Sequence, residues 1–234
     1  MRSSKRGRRL GMAVSALALS LAAPGYGQAA ALTAHGNEPG WRVELSDTAL
    51  TFRGMDGETF TITPAPRAVT TNGVETYAST VAGRPFTLTV TGALCSDTMT
   101  GMPFPRTATV DIDGRKLAGC AGEPAALLDG DWRIEESARA ANVADSAPAL
   151  WFDSKRGVSG NASCNRFFGQ FALTGEGLRI SDIGMSMMIC EDPIFKQERA
   201  LLTAFESVRG FRIGPAGQLL LIGDNGGTLV RARR

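Results

Sequence analysis

Residues 157–171 read GVSGNASCNRFFGQF. An apolar, β-branched start breaks at Gly160, passes Cys164 beside Asn165, and resumes with aromatics before Gly169. That is the pattern of a strand, a tight corner and a second strand, with a cysteine placed to tie the corner to a distant point. Cys190, at the end of the run MSMMIC, is the partner the spacing offers. Between the two cysteines Phe171, Leu173, Leu178 and Ile180 alternate as half-buried strands do. The expected fold class is therefore mainly β, built of antiparallel strands.

Outward from this corner one helix is predicted. Asp192 is placed to cap it, and Pro193 suits a first turn, where a missing N–H costs nothing. Ile194, Leu201, Phe205 and Val208 fall on one face, joined by Phe195 and Leu202. Lys196, Glu198, Arg199, Glu206 and Arg209 are read as facing water, and Gly210 as the end of the helix. Trp132–Glu135, Leu150–Phe152, Phe211–Ile213, Leu219–Ile222 and Thr228–Val230 read as the remaining strands of this half, with residues 138–149 as a loop.

The half before it is strand after strand. Alternation marks Trp41–Leu45, Leu50–Phe52, Thr59–Ile62 and Phe86–Val90. Thr107–Ile112 and Lys116–Cys120 flank Asp113-Gly114, a strong hairpin signal because a two-residue turn there needs positive φ. Residues 119–124, GCAGEP, break the pattern and place a boundary, giving domains 32–124 and 127–234. WRVE at Trp41 and WRIE at Trp132 echo one another, a hint of duplication. Each half is expected to hold its own core, with little at the junction to couple them.

The run CNRFFG from Cys164, with a second cysteine 26 residues on, resembles the META domain, the family of the heat-shock protein HslJ. The likeness covers residues 127–234. Ser163 stands where the family has Gly, Phe171 where it has Tyr, and SMMIC at Ser186–Cys190 where it has Thr-Arg-Met-Ala-Cys. The resemblance implies a sheet or partial barrel with one helix, and an association with envelope stress or antibiotic tolerance. In the first half, GNEPGW at Gly36–Trp41 and CSDTMTG at Cys95–Gly101, ahead of Pro103-Phe104-Pro105, resemble two signatures of uncharacterised bacterial envelope proteins.

The chain has 234 residues. Arg2, Lys5, Arg6, Arg8 and Arg9 precede an apolar run from Leu10 to Ala23 and small residues through Ala31, so residues 1–31 read as a secretory signal peptide. An apolar run of about 14 residues is short of the ~20 a spanning helix needs. The Leu-Gly-Met after Arg8-Arg9 fits twin-arginine export poorly, and no cysteine near the cleavage region offers a lipid anchor. The chain has 25 basic and 23 acidic residues. Five of the basic ones lie in the leader, leaving 20 against 23 and a net charge of −3 on the exported part. Clustered Lys and Arg are missing there, which argues against nucleic acid. The expected location is the periplasm or the exterior, with outer-membrane association an option, and no membrane span remains after cleavage.

Cys95, Cys120, Cys164 and Cys190 all lie in the exported part, and an even count in an oxidising compartment reads as disulfides. Three pairings are formally open. Neighbours in sequence close loops of about 25 residues, each stabilising by roughly 3 kcal/mol in the chain-entropy model. A zinc site would need closely paired ligands and histidines. No metal or cofactor is expected.

Candidate chemistry is sparse. His35, the only histidine, is read as lying in an N-terminal arm, which leaves no held imidazole for a triad. Glu38, Asp97, Asp111 and Asp113 offer carboxylates, but their spacing requires no catalytic pair. The binding candidates are Asn37, Glu38 and Trp41 in the first motif, Asp97, Met99 and Phe104 in the loop from Cys95 to Arg106, and Asn165 and Arg166 at the corner. Met185, Met187 and Met188 are read as core filler. The resulting expectation is a non-catalytic envelope protein acting by binding or structural support on an unidentified envelope protein or small ligand. Two alternatives stand beside it: an inhibitor of a secreted enzyme such as lysozyme, inserting the Cys95–Arg106 loop, and a hydrolase using carboxylates alone.

Overall fold

The computed structural model describes residues 32–138, 140–155 and 157–234. The signal-peptide reading falls outside the described residues.

The first half is strand throughout: β1 (Leu32–Asn37), β2 (Gly40–Leu45), β3 (Leu50–Gly54), β4 (Thr59–Ile62), β5 (Ala68–Thr71), β6 (Val74–Val81), β7 (Arg84–Thr91), β8 (Cys95–Ser96), β9 (Pro103–Phe104), β10 (Arg106–Ile112) and β11 (Arg115–Ala121). Nine of these form one antiparallel sheet in the order β4-β3-β2-β1-β11-β10-β7-β6-β5, while β8 and β9 pair as a separate short hairpin. A short helix, α1 (Ala125–Leu128), leads into the second half. There follow β12 (Gly130–Ser137), β13 (Ala140–Ala141), β14 (Ala149–Asp153), β15 (Gly157–Asn161), β16 (Arg166–Thr174), β17 (Gly177–Met185), α2 (Asp192–Glu206), β18 (Val208–Ile213), β19 (Leu219–Gly223) and β20 (Thr228–Arg233). Their sheet runs β17-β16-β15-β14-β12-β20-β19-β18, with β13 paired to β12. The fold is mainly β, two curled antiparallel sheets that each form a half-barrel.

The two sheets are wound alike. In each, the opening strand pairs with the closing one, β1 with β11 and β12 with β20, and the early strands meander away on one side. The two echoing tryptophans are both buried and hydrogen-bonded, but Trp41 lies on the second strand of its sheet, β2, and Trp132 on the opening strand, β12. Trp41 is buried and donates its indole N–H to the Ala118 carbonyl, and Trp132 donates to that of Leu128. Gly36 permits the first, since a Cβ there would run into the Trp41 ring and the Ala118 carbonyl.

The alternation read from the sequence becomes two cores. Trp41, Val43, Leu50, Phe52, Phe86, Leu88 and Val110 gather in the first half, and Trp132, Ile134, Leu150, Phe152, Phe167, Leu201, Phe205 and Leu221 in the second. The chain pairs Cys95 with Cys120 and Cys164 with Cys190, at Cα separations of 5.5 and 6.3 Å. The halves are coupled more closely than the junction sequence implied. Met102 of the β8–β9 hairpin is buried in the second core, and Phe104 packs against it. The linker reading also shifts, because β11 continues through Gly119 and Cys120 to Ala121, which pairs with Ala34 of β1.

The helix departs from its sequence reading at three points. Its N-cap is Glu191, so Asp192 lies inside the first turn and makes no capping bond. It ends at Glu206, and Val208 belongs to β18. Glu198, read as solvent-facing, is only 1% exposed. Its carboxylate accepts the Asn165 backbone N–H at 2.7 Å and the Asn165 side-chain amide at 2.9 Å, which fixes the Cys164 corner to the helix. Asn165 Oδ1 in turn accepts from Ser186 Oγ and from the Met188 N–H. The segment thus held does not fill the core. Met187 is 96% exposed and Met188 and Ile189 are exposed beside it, because the loop's polar backbone is what the corner binds. Among the described residues no helix is long and apolar enough to cross a membrane.

These contacts set an order of mutational cost. Phe205→Ala, emptying a fully buried site, should cost about 3–5 kcal/mol. Glu198→Ala, stranding the Asn165 donors, should cost at least about 1–3 kcal/mol, and Glu206→Ala on the exposed face less than ~0.5 kcal/mol. Denaturant melts that ranked Glu198→Ala with Glu206→Ala would contradict the buried Asn165–Glu198 tie.

Candidate functional site

The period-2 geometry of β1 puts Thr33, His35 and Asn37 on one face while Leu32 and Ala34 turn into the core. That face looks at the β8–β9 hairpin, which the Cys95–Cys120 disulfide anchors beside it. Asp97 opens the hairpin's tip. Its backbone N–H donates to the Met102 carbonyl and its carbonyl accepts from Gly101 N–H, closing a tight loop. Gly101 sits at φ +71°, the left-handed conformation such a loop needs and glycine adopts freely.

The Asp97 side chain is buried and fully engaged. One carboxylate oxygen accepts the backbone N–H groups of Met99 (3.0 Å) and Thr100 (2.8 Å) and the Thr100 hydroxyl (2.9 Å). The other accepts from His35 Nε2 at 3.0 Å and Asn37 Nδ2 at 2.9 Å. Burial alone would push this carboxyl up. The donors outweigh it, Asn37 foremost, then Thr100 and His35, and hold the group well below the usual carboxylate range. His35 is further braced by Phe104, edge to face at 4.8 Å between ring centres.

This cluster lines a cleft of about 440 Å³ between the two halves, which it shares with Met99, Thr100, Met102, Phe104, Glu123, Pro124 and Ala125 and, from the second sheet, Leu173, Thr174 and Gly175. A second cavity of about 440 Å³ on the other side of the same residues takes in Glu38 and the Cys95–Cys120 disulfide. A third, of about 610 Å³, runs from the hairpin to Arg209–Ile213 of the second half.

The sequence candidates divide accordingly. Asn37, Asp97, Met99 and Phe104 come together in one cleft, and Glu38 borders the neighbouring cavity. Trp41 is 3% exposed and belongs to the first core, so it is not available to a ligand. Asn165 is likewise buried, its donors and acceptor spent on the Cys164 corner, while Arg166 is exposed at the start of β16. Asp111 and Asp113 stand at the tip of the β10–β11 hairpin, where Asp111 Oδ1 accepts the Gly114 N–H. From Asp111 to Thr107, the residue opposite Cys120, is four residues of strand, about 13 Å at the usual rise. They form no pair with Asp97.

His35 is the residue the sequence reading misplaced. It lies in a strand hydrogen-bonded on both sides, opposite Arg42 and Cys120, not in an arm. The available signal was the alternation of Leu32, Ala34 and Gly36 with Thr33, His35 and Asn37. Met102, Glu123 and Leu173 were also missed, since only the folded chain brings them to the cleft. Among the described residues no serine, threonine or cysteine side chain hydrogen-bonds the His35 ring, and no three of His, Cys, Asp and Glu gather to hold a metal ion.

Asp97 gives the cluster a defined pH response. A carboxyl whose folded pKa is depressed contributes stability that is present above its unfolded value, about 3.9, and is lost as pH falls toward the folded one. Asp97→Asn should therefore cost at least about 2 kcal/mol at neutral pH, with the gap to wild type narrowing below about pH 4. Urea melts across pH 2.5–7, a range set by ~3.9 for the unfolded carboxyl, check this; a gap constant with pH would contradict the depressed pKa.

No curated protein matches the chain. An NMR structure of a protein from Burkholderia xenovorans is 30% identical over 47% of this chain and 86% of its own length, with a TM-score of 0.40. A second NMR structure is 22% identical over 47% of this chain and 93% of its own, at a TM-score of 0.38. The META domain family model matches residues 125–234, so the second half of this chain, from α1 to its last strand, is a META domain.

Proposed function

We propose that this chain is exported by its N-terminal leader and works in the cell envelope as a non-catalytic binding protein, with the cleft between its two sheets as the binding site. The observation that carries this reading is the Asp97 carboxylate, which faces the cleft with both oxygens filled by five donors. A carboxylate held so strongly as the anion is a poor general base, and a good organiser of the groups around it. It fixes His35, Asn37 and Thr100 as a polar rim on a cleft whose apolar wall is built mainly by Met99, Met102, Phe104 and Leu173, with Glu123 at its edge. A mostly apolar cleft with a few positioned polar groups is the usual form of a ligand site.

The leader and the two disulfides support an oxidising compartment, and the META domain supports a role in envelope stress or antibiotic tolerance. The enzyme-inhibitor alternative draws less support, because the hairpin's apolar side chains Met102 and Phe104 point into the chain's own second half. The hydrolase alternative draws less again, since Asp97 is spent and Asp111 and Asp113 lie at a hairpin tip.

Gly175 offers a clean test. It borders both the cleft and the cavity that runs to Arg209–Ile213, and a Cβ added there meets nothing within 4 Å. Gly175→Trp should fold and be exported at wild-type levels yet fail to restore antibiotic tolerance to a deletion strain. Full restoration by Gly175→Trp would remove the cleft from the function.

A further inference from the structure

We propose that the cleft takes a soft monovalent metal ion, Cu(I), through the His35 imidazole and the thioethers of Met99 and Met102. The inference rests on the reading of the cleft as the binding site, and three observations carry it further. His35 Nε2 donates to Asp97, which leaves the Nδ1 lone pair as the ring's donor. A carboxylate behind an imidazole is the usual support of a metal-binding histidine, fixing tautomer and ring orientation.

The second observation is the placing of the methionines. Both line the same cleft as His35. Met99 is 77% exposed, yet its backbone is pinned by the Asp97 carboxylate that also holds His35. A single buried anion thus positions an imidazole and a thioether together, at a point where an unbranched apolar side chain gains nothing from burial.

The third observation is what the cleft does not offer. Calcium, magnesium and zinc favour carboxylate, imidazole or thiolate sets. Here the Asp97 oxygens are occupied and the nearby Cys95 is in a disulfide, which leaves Glu123, itself holding the Thr33 hydroxyl, as a lone carboxylate at the rim. One imidazole with two thioethers is a donor set that selects Cu(I).

The test uses the exported chain with both disulfides intact, labelled at its methionine methyls, and Ag(I) nitrate as a redox-inert stand-in that needs no reductant. The Met99 and Met102 signals should move together at one equivalent, before those of Met55, Met187 and Met188, which are 85%, 96% and 62% exposed and report non-specific thioether binding. Zn(II) should move none of them. His35→Gln and Met99→Leu should each weaken Ag(I) binding at least tenfold, and Met99, being exposed, keeps that variant folded. Simultaneous movement of all the exposed methionines, or wild-type affinity in Met99→Leu, would overturn the metal site. If that happens while Gly175→Trp still abolishes tolerance, the cleft reading stands and the ion is wrong. If Gly175→Trp is silent as well, both fall.

Discussion

The arrangement of the first half against the second depends on one buried anion. The Asp97 carboxylate accepts two side-chain donors from β1 and three donors from its own loop. Hydrogen bonds to a charged acceptor are individually worth about 1.5–3 kcal/mol, against a comparable penalty for any donor left stranded. The loop after Cys95 is therefore a defined shape, and that shape delivers Met102 into the core of the META domain. With the Cys95–Cys120 disulfide holding the hairpin's base, Asp97 holds its tip.

The common winding of the two sheets explains why the halves need such a device. Each half-barrel closes its first strand on its last, which leaves its two outer strands without a ladder between them. In the META domain α2 bridges from β17 to β18 and buries Leu201, Ala204 and Phe205, with Glu198 tying it to the Cys164 corner. The passage from β4 to β5 in the first half carries no helix. The β8–β9 hairpin grows instead from the other side and spends its apolar side chains on the neighbouring core. The cleft is the space left where those two solutions meet.

Much of this was legible in the residues. Strict alternation identified most of the strands, and the spacing of the four cysteines anticipated both pairings. Asn37 stands out as a polar group before a proline and a large aromatic, and Asp97, Met99 and Phe104 because a cysteine anchor with two methionines and two prolines implies a rigid loop. What stayed hidden shares one cause, long-range pairing. His35 reads as part of an arm until β11 returns from residue 115 to cover β1. Glu198 reads as a surface residue of an amphipathic helix until the Asn165 donors reach it. Met187 and Met188 read as core until the Asn165 amide is seen to bind the Met188 backbone and leave both side chains outside. In each case periodicity gives the face of an element, and only the partner decides whether that face is covered.

Amide hydrogen exchange at Met99 and Thr100 tests the central claim most directly. Both residues lie in a short surface loop, and Met99 is an exposed side chain, so an ordinary loop would exchange these amides almost as fast as an unfolded chain. If Asp97 organises the loop, both amides should be protected to a degree approaching that of the β10 and β11 amides, and should lose that protection together in Asp97→Asn. Unprotected amides at Met99 and Thr100 in the native chain would contradict the account.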